Sequence, residues 1–372
     1  MNTQVIKASA DDMAAAKDAA AKAANAVAEG KLVGFATETV YGIAALANNP
    51  DTMARLRELK NRPSNPFSVH IGSPSKAFDF ISSENFPIRG RWLMQKTWPG
   101  PVTLLLPTGG RFADKKLSSL HATLTKNDIL GLRCPSEPVA MMMLEMTPGV
   151  VVAPSANLAG NPSPKNADDV LRDLDGRIDI LLDTGPTQYG KDSTIVLFSG
   201  EDYEICREGV FDRRMISSVA GRKILFVCTG NTCRSPMAAG IARAVLAEKF
   251  NCQPQELENK GIEICSAGIH AWEGGPATEQ AVNVAEYHGG DISSHKSRKI
   301  SEDMLKSTDV VFCMTAGHLE LAQTLARGMN CRVMLLDDCD VRDPIGGGEE
   351  AYRQAACQIE KAIRNRLIQG YL

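Results

Sequence analysis

No apolar run in this chain approaches the roughly 20 residues that a membrane helix requires. Its opening, Met1-Asn2-Thr3-Gln4, lacks the charged-then-apolar pattern of an export signal, so the expected location is the cytoplasm, with no membrane partner. Charge of one sign is also missing. The net charge is −3, with 22 basic against 24 acidic residues up to position 210 and 19 against 20 beyond it. That balance disfavours a mainly electrostatic nucleic-acid binder and leaves room only for a local basic groove. The ten cysteines show no paired zinc-like spacing and no histidine cluster accompanies them, so no metal site is expected. A reducing compartment suits free thiols. Neither a Walker pattern nor Gly-x-Gly-x-x-Gly occurs in the first half, and there is no internal repeat.

What is present is length and alternation. A chain of 372 residues exceeds a typical single core and predicts two domains. In the first half, Ala14 to Ala28 reads as a helix capped by Ser9, with Asp12 at its third position, and Gly30 ends it. Strands are predicted at 32–36, 69–71, 103–106, 130–133, 150–153 and 194–198, punctuated by Pro and Gly, which suits a mixed sheet with functional loops. A short polar stretch, Arg213 to Gly221, precedes a new strand, placing the boundary near 220 and the domains at 1–215 and 222–372. The second half reads β-α-β-α, with strands at 223–227, 262–266, 309–313 and 332–336 and a last helix at about 349–368. This is the pattern of an α/β, doubly wound parallel sheet, which binds ligands at the carboxyl ends of its strands.

At such an end stands Cys228-Thr229-Gly230-Asn231-Thr232-Cys233-Arg234-Ser235, followed by Pro236 in the first turn of a helix. A loop between strand and helix aims backbone N–H groups inward, where the helix dipole adds positive potential. Arg234 supplies a two-pronged donor for phosphate oxygens, and the same field favours a thiolate at Cys228. A cysteine ending a strand is ordinarily core packing, but packing requires neither the Gly, the Arg nor the Ser-Pro.

Residues 222–372 resemble the low-molecular-weight protein phosphatases in this loop, in Ser266-Ala267-Gly268 and in Asp343-Pro344-Ile345-Gly346-Gly347. The resemblance implies that Cys228 attacks phosphorus, that Asp343 protonates the leaving group and then activates water, and that Asn231 and Ser235 hold the loop and the thiolate. It needs no cofactor. Thr232 stands where tyrosine-specific members carry an aliphatic residue and where phosphoarginine-specific members look like this chain. Trp272 supplies a candidate wall for a phenol ring or a guanidinium plane. Protein phosphoarginine is therefore the expected substrate, with protein phosphotyrosine the alternative. Cys233 is either a disulfide partner shielding Cys228 or a packing residue under the loop.

In the first half, Lys and Arg one residue apart and small hydroxyls after strands suggest polyphosphate binding. The segments are Thr37-Glu38-Thr39-Val40-Tyr41-Gly42, Lys60-Asn61-Arg62-Pro63, Trp98-Pro99-Gly100-Pro101, Ala153-Pro154-Ser155-Ala156-Asn157 with Ser163-Pro164, Asp192-Ser193-Thr194 and Arg207-Glu208-Gly209. In this order, over about 10–210, they resemble the YrdC/Sua5 family, which makes threonylcarbamoyl-adenylate for tRNA modification. The resemblance implies a twisted mixed α/β sheet around a positive cavity that takes L-threonine, bicarbonate and ATP, the last with Mg2+. By motif, Thr39, His70, Arg133, Ser193 and the backbone of Ala153 would hold threonine, and Lys60, Arg62, Asn65, Ser155, Asn157, Ser163 and Arg207 would hold ATP. The product would pass to a tRNA threonylcarbamoyl-transfer machinery. Ala36 and Asp192 depart from the family's usual proline and glutamate. The competing reading of this half is an RNA-binding module.

Overall fold

A computed structural model describes residues 2–9 and 11–372 of the chain, which parts into two units between Val219 and Ala220. The first unit contributes β1 (Gln4–Lys7), β2 (Val33–Phe35), β3 (Gly42–Leu46), β4 (Val69–His70), β5 (Val102–Pro107), β6 (Thr125–Lys126), β7 (Ile129–Arg133), β8 (Val151–Val152), β9 (Ile180–Asp183), β10 (Thr194–Ser199) and β11 (Asp202–Arg207). They form one mixed sheet in the order β1-β9-β2-β3-β8-β4-β7-β5-β10-β11, with β6 paired to β7. The parallel pair β4 and β7 sets His70 beside Arg133 at the ends of their strands. The parallel pair β5 and β10 brings the start of β10, just after Ser193, next to Val102.

Helix Met13–Ala28 is capped by Asp12, whose carboxylate accepts from Ala15 N–H at 3.1 Å, rather than by Ser9. Ser9 instead bonds Asp11. The shift moves Asp12 out of the third helical position and onto the cap itself, where a short carboxylate satisfies an orphan amide. Gly30, at φ +82°, stops the helix in a conformation glycine adopts without strain. One face of this helix, Ala16, Ala20, Ala23 and Val27, is wholly buried and packs with Val139, Ala140 and Met143 of helix Pro138–Met146. The methyl side chains allow a close approach of the two backbones.

The second unit is a four-stranded parallel sheet of β12 (Arg222–Cys228), β13 (Ile262–Gly268), β14 (Val310–Cys313) and β15 (Arg332–Leu335), ordered β13-β12-β14-β15. Alternation sends Leu225, Val227, Val311 and Cys313 into one core with Leu305 and Ala322. The other face stacks Phe226 on Phe312, with ring centroids 5.6 Å apart. Helices Arg234–Lys249 and Glu349–Ile368 complete the unit. Cys228 closes β12, an inner strand, at the carboxyl edge of the sheet.

Replacing Ala20 by Leu inserts three carbons between two packed helices, and overpacking of this kind costs about 1–3 kcal/mol. Calorimetry should find the first unit's unfolding shifted to lower temperature. An unshifted transition would mean that the helices part freely.

Candidate active sites

The second unit's loop is built around Asn231, which adopts a left-handed backbone at φ +55°. That conformation turns its N–H toward Cys228 Sγ at 3.3 Å. Its side-chain amide donates to Ser235 Oγ and Ser266 Oγ, both at 2.9 Å, and its side-chain oxygen accepts from Arg298 N–H at 2.9 Å. Ser235 Oγ lies 2.9 Å from Cys228 Sγ. Among the described residues nothing accepts from the backbone N–H groups of Gly230, Thr232, Cys233 or Arg234. Successive unspent N–H groups at a helix start form an anion cradle. Gly268 leaves room for it, since a Cβ there would sit 2.5 Å from the Thr229 carbonyl oxygen.

Arg234, at 6 % side-chain exposure, donates to the Val341 carbonyl at 3.2 Å and to Asp343 Oδ2 at 2.5 Å. Asp343 is 44 % exposed, and its other oxygen accepts from Ile345 N–H at 3.2 Å. Thr232, half-buried, lies on the loop between Asn231 and Cys233. The Cys233 thiol is buried beside the Tyr352 hydroxyl at 3.3 Å and Thr278 Oγ1 at 3.6 Å, and Thr278 N–H ties back to the Thr232 carbonyl. Burial and the Cys233 thiol push the Tyr352 phenol up.

Several partners escaped the sequence reading. Thr229 Oγ1 meets His318 Nε2 at 2.9 Å, and His318 Nδ1 meets Thr315 Oγ1 at 2.8 Å. Burial, and then Arg234 nearby, lowers this imidazole to about 4. His295 donates to the Asn231 carbonyl at 2.8 Å. Single polar residues on otherwise ordinary helices and loops carry no local signal of such contacts.

The first unit holds a cavity of about 390 Å³ lined by Lys60, Arg62, Arg133 and Arg207, with Asp192 as its one carboxylate among the described residues. His70, Ala153, Ser155, Asn157 and Ser193 also line it. Arg133 is buried in an ion pair with Glu38 at 2.8 Å and donates to Thr39 Oγ1 at 2.6 Å, while its Nε has no partner. Thr39 thus reaches the cavity through Arg133, and Ser163 through Asp192 at 2.9 Å. Arg207 donates twice to the Ser193 carbonyl, at 2.9 and 3.1 Å. The guanidinium of Arg62 lies 5.9 Å from the centre of the Phe67 ring.

Two assignments sit differently from the motif reading. Asn65 is exposed outside the cavity lining, its side chain accepting from Lys126 at 2.8 Å. Lys60 lines the cavity, but its ammonium is spent on the carbonyl and side-chain oxygens of Ser155 and Asn157, at 2.7 to 3.4 Å. Burial, and then Arg62, lowers Lys60 to about 8, and the four acceptors hold the 155–157 loop against it.

Taken together, the units present a cysteine-centred cradle of N–H groups and a cation-lined cavity, each at strand ends. A family model for Sua5, YciO and YrdC, described as "Telomere recombination", matches residues 25–209, and one for low molecular weight phosphotyrosine protein phosphatase matches 223–369. The chain belongs to the Sua5/YciO/YrdC family through its first unit and to the low-molecular-weight phosphatase family through its second. The threonylcarbamoyl-AMP synthase of Bacillus subtilis is 37% identical over 203 residues, 54% of this chain and 56% of that protein. The chain thus spans about half the length of that relative. The protein-arginine-phosphatase of the same organism is 32% identical over 147 residues, 38% of this chain and 91% of that protein. The solved structure of Pyrococcus abyssi Sua5 aligns with 90% of this chain and 99% of its own at a TM-score of 0.51 and 23% identity, a likeness of fold.

His70 supplies a pH test of the cavity. Burial, reinforced by Arg133, pushes its imidazole down to about 3, and Nδ1 lies 3.3 Å from the Ser68 carbonyl. Unfolding returns it toward its ordinary value near 6.5, so below that pH the unfolded chain binds the extra proton. The stability His70 contributes is full above pH 6.5 and falls as pH drops toward 3. In His70→Gln this part of the acid slope should disappear. An identical slope in variant and wild type would place His70 in a solvated setting.

Proposed function

We propose that the first unit condenses L-threonine, bicarbonate and ATP into L-threonylcarbamoyladenylate with release of pyrophosphate, and that the second removes phosphate from phosphoarginine in proteins. The observation that carries the second reading is the loop of unspent N–H groups closing on Cys228 Sγ. Phosphate oxygens would occupy those donors and the Arg234 fork, and Cys228 would attack phosphorus in line with the leaving nitrogen. The P–N bond breaks as Asp343 delivers a proton to nitrogen, leaving a thiophosphoryl group on Cys228. Asp343 then takes a proton from water, whose oxygen attacks phosphorus and returns the thiolate and inorganic phosphate. Thr232 offers a hydroxyl to the polar leaving group. Trp272 is 90% exposed, a poor apolar wall for a phenol. The relative named protein-arginine-phosphatase supports the same choice.

For the first unit the carrying observation is the excess of four lining cations, Lys60, Arg62, Arg133 and Arg207, over the two carboxylates that meet them, Asp192 and the Glu38 paired with Arg133. Arg133 and the ring nitrogen of His70 left by its Ser68 contact would hold the carboxylate and amine of threonine. Arg62 and Arg207 would take the triphosphate, and Lys60 would shape the Ser155–Asn157 loop that receives it. Mg2+ would arrive as the counter-ion of ATP, neutralising phosphate charge, with Asp192 the carboxylate at hand. Threonine nitrogen captures the carbon of bicarbonate-derived CO2, and the carbamate oxygen attacks the α-phosphorus as pyrophosphate leaves. Positioning and charge neutralisation supply the catalysis. The adenylate would then feed a tRNA threonylcarbamoyl-transfer machinery, so contact with RNA is not required of this cavity.

Pyrophosphate release should require both threonine and bicarbonate. Arg62→Ala should raise the KM for ATP, and Arg133→Ala should chiefly weaken dependence on threonine. Release that continues without threonine, or folded variants that behave as wild type, would refute the assignment.

In the second unit, Cys228→Ser should abolish phosphate release, since a serine hydroxyl is hardly ionised where a thiolate would be. Thr232→Ile should lower the ratio of kcat/KM for phosphoarginine over phosphotyrosine about tenfold, the size of one lost polar contact. A wild type that prefers phosphotyrosine would move the unit to tyrosine phosphatases.

A further inference from the structure

The second unit has a larger cavity that the chemistry above does not use. It encloses about 600 Å³ beside the edge strand β13, within the range of about 300–1,000 Å³ common for small-molecule sites. One wall is the stripe Pro236, Ala239, Gly240 and Arg243 of helix Arg234–Lys249, spaced as one helix face. Beside it, alternate residues of β13, Ile262, Ile264 and Ser266, present one face of the strand.

Arg243 donates to the Ile264 carbonyl at 2.7 Å and makes no ion pair among the described residues. Burial lowers its pKa, and Cys265, then Glu258 and Asp291, partly offset that loss. Both carboxylates line the same cavity. Asp291 is engaged with the Ser293 N–H at 2.9 Å and hydroxyl at 2.7 Å, whereas Glu258 makes no ion pair among the described residues. Arg243 therefore shares the cavity with two carboxylates, Asp291 already hydrogen-bonded by Ser293 and Glu258 not, and Leu257, Ile262, Ile264 and Ile292 supply apolar lining between them. A simple anion would meet the carboxylates and a simple cation would meet Arg243. A molecule carrying both charges and an apolar side chain satisfies each group.

We propose that this cavity binds a free zwitterionic α-amino acid with an aliphatic side chain, its carboxylate on Arg243 and its ammonium toward Glu258, and that the bound molecule tightens the phosphate loop. The coupling runs through the two lining residues that touch the loop, Ser266 and His295. Both bond Asn231, at 2.9 and 2.8 Å, and Asn231 N–H bonds Cys228 Sγ. With Nε2–H committed to the Asn231 carbonyl, the neutral His295 ring keeps Nδ1 as an acceptor. A donor placed there polarises the ring and strengthens its bond to the loop.

The test titrates the full chain with L-leucine by calorimetry and follows hydrolysis of p-nitrophenyl phosphate, a reporter indifferent to the natural phosphorylated residue. L-leucine at millimolar concentration should bind and lower KM about fivefold, a typical coupling between linked sites. N-acetyl-leucine and leucinamide, each lacking one charge, should not. Exposed Glu258→Gln should weaken binding at least tenfold while leaving hydrolysis without leucine unchanged, and Arg243→Gln should abolish it. No heat with L-leucine, equal binding of the one-charge analogues, or undiminished binding by Glu258→Gln overturns the site. Binding with an unchanged KM overturns the coupling.

Discussion

Burying a guanidinium or an ammonium costs several kcal/mol unless acceptors surround it, and both units bury cations at their candidate sites. Arg234, Arg133 and Lys60 are each at least nine-tenths buried. Every one is met by a different solution. Arg234 uses a main-chain carbonyl and an exposed carboxylate, Arg133 a buried carboxylate and hydroxyls, and Lys60 four neutral oxygens of a single loop. The loops after the strands take their shapes largely because these cations must be satisfied.

Lys60 shows how that requirement redistributes roles. A lysine two residues from an arginine reads as a pair of phosphate ligands. In the folded chain the ammonium is saturated by Ser155 and Asn157 before any ligand arrives, and only Arg62 keeps its charge in solvent. The loop Ser155–Asn157 is then a preformed surface whose geometry is set by a charge behind it. Preorganised polar groups of this kind stabilise developing charge without reorganisation during the reaction.

The parts of both sites that were legible from sequence are contiguous. The Cys228–Ser235 loop declares itself because strand, anion cradle and helix start follow one another, and the strand pattern of the second unit repeats without interruption. Asp343 lies 109 residues from Arg234 and was reached only through family resemblance. His318, His295, Thr278 and Tyr352 were not reached at all, because each is a single polar residue, on a helix, at a helix cap or in a loop, with no local signal of the contact it makes. In the first unit the strands that escaped notice fail the usual signals for physical reasons. Gly42–Leu46 is buried throughout, so it lacks alternation, and its Gly and Ala carry little strand propensity. Pairing with β2 and β8 makes it a strand. Ser9 lost the cap to Asp12 because two capping residues lie within one turn and only the tertiary setting chooses between them.

The pairs Arg133–Glu38 and Arg234–Asp343 differ in what a ligand can do to them. Glu38 is 2% exposed against Arg133 and also accepts from Ser136 N–H at 2.9 Å, so removing it would strand a buried cation. That pair is fixed architecture. Asp343 is 44% exposed, and water can take its place as it leaves Arg234. A phosphate bearing about two negative charges competes for the same guanidinium fork with an extra charge and the N–H cradle on its side. Substrate entry would thus exchange Asp343 for phosphate on Arg234 and free the carboxylate for the leaving nitrogen. In the proposed reaction the resting contact would hold Asp343 close to the loop and the substrate would release it, so that one arginine would serve in turn as a tether for the acid and a clamp for the phosphate.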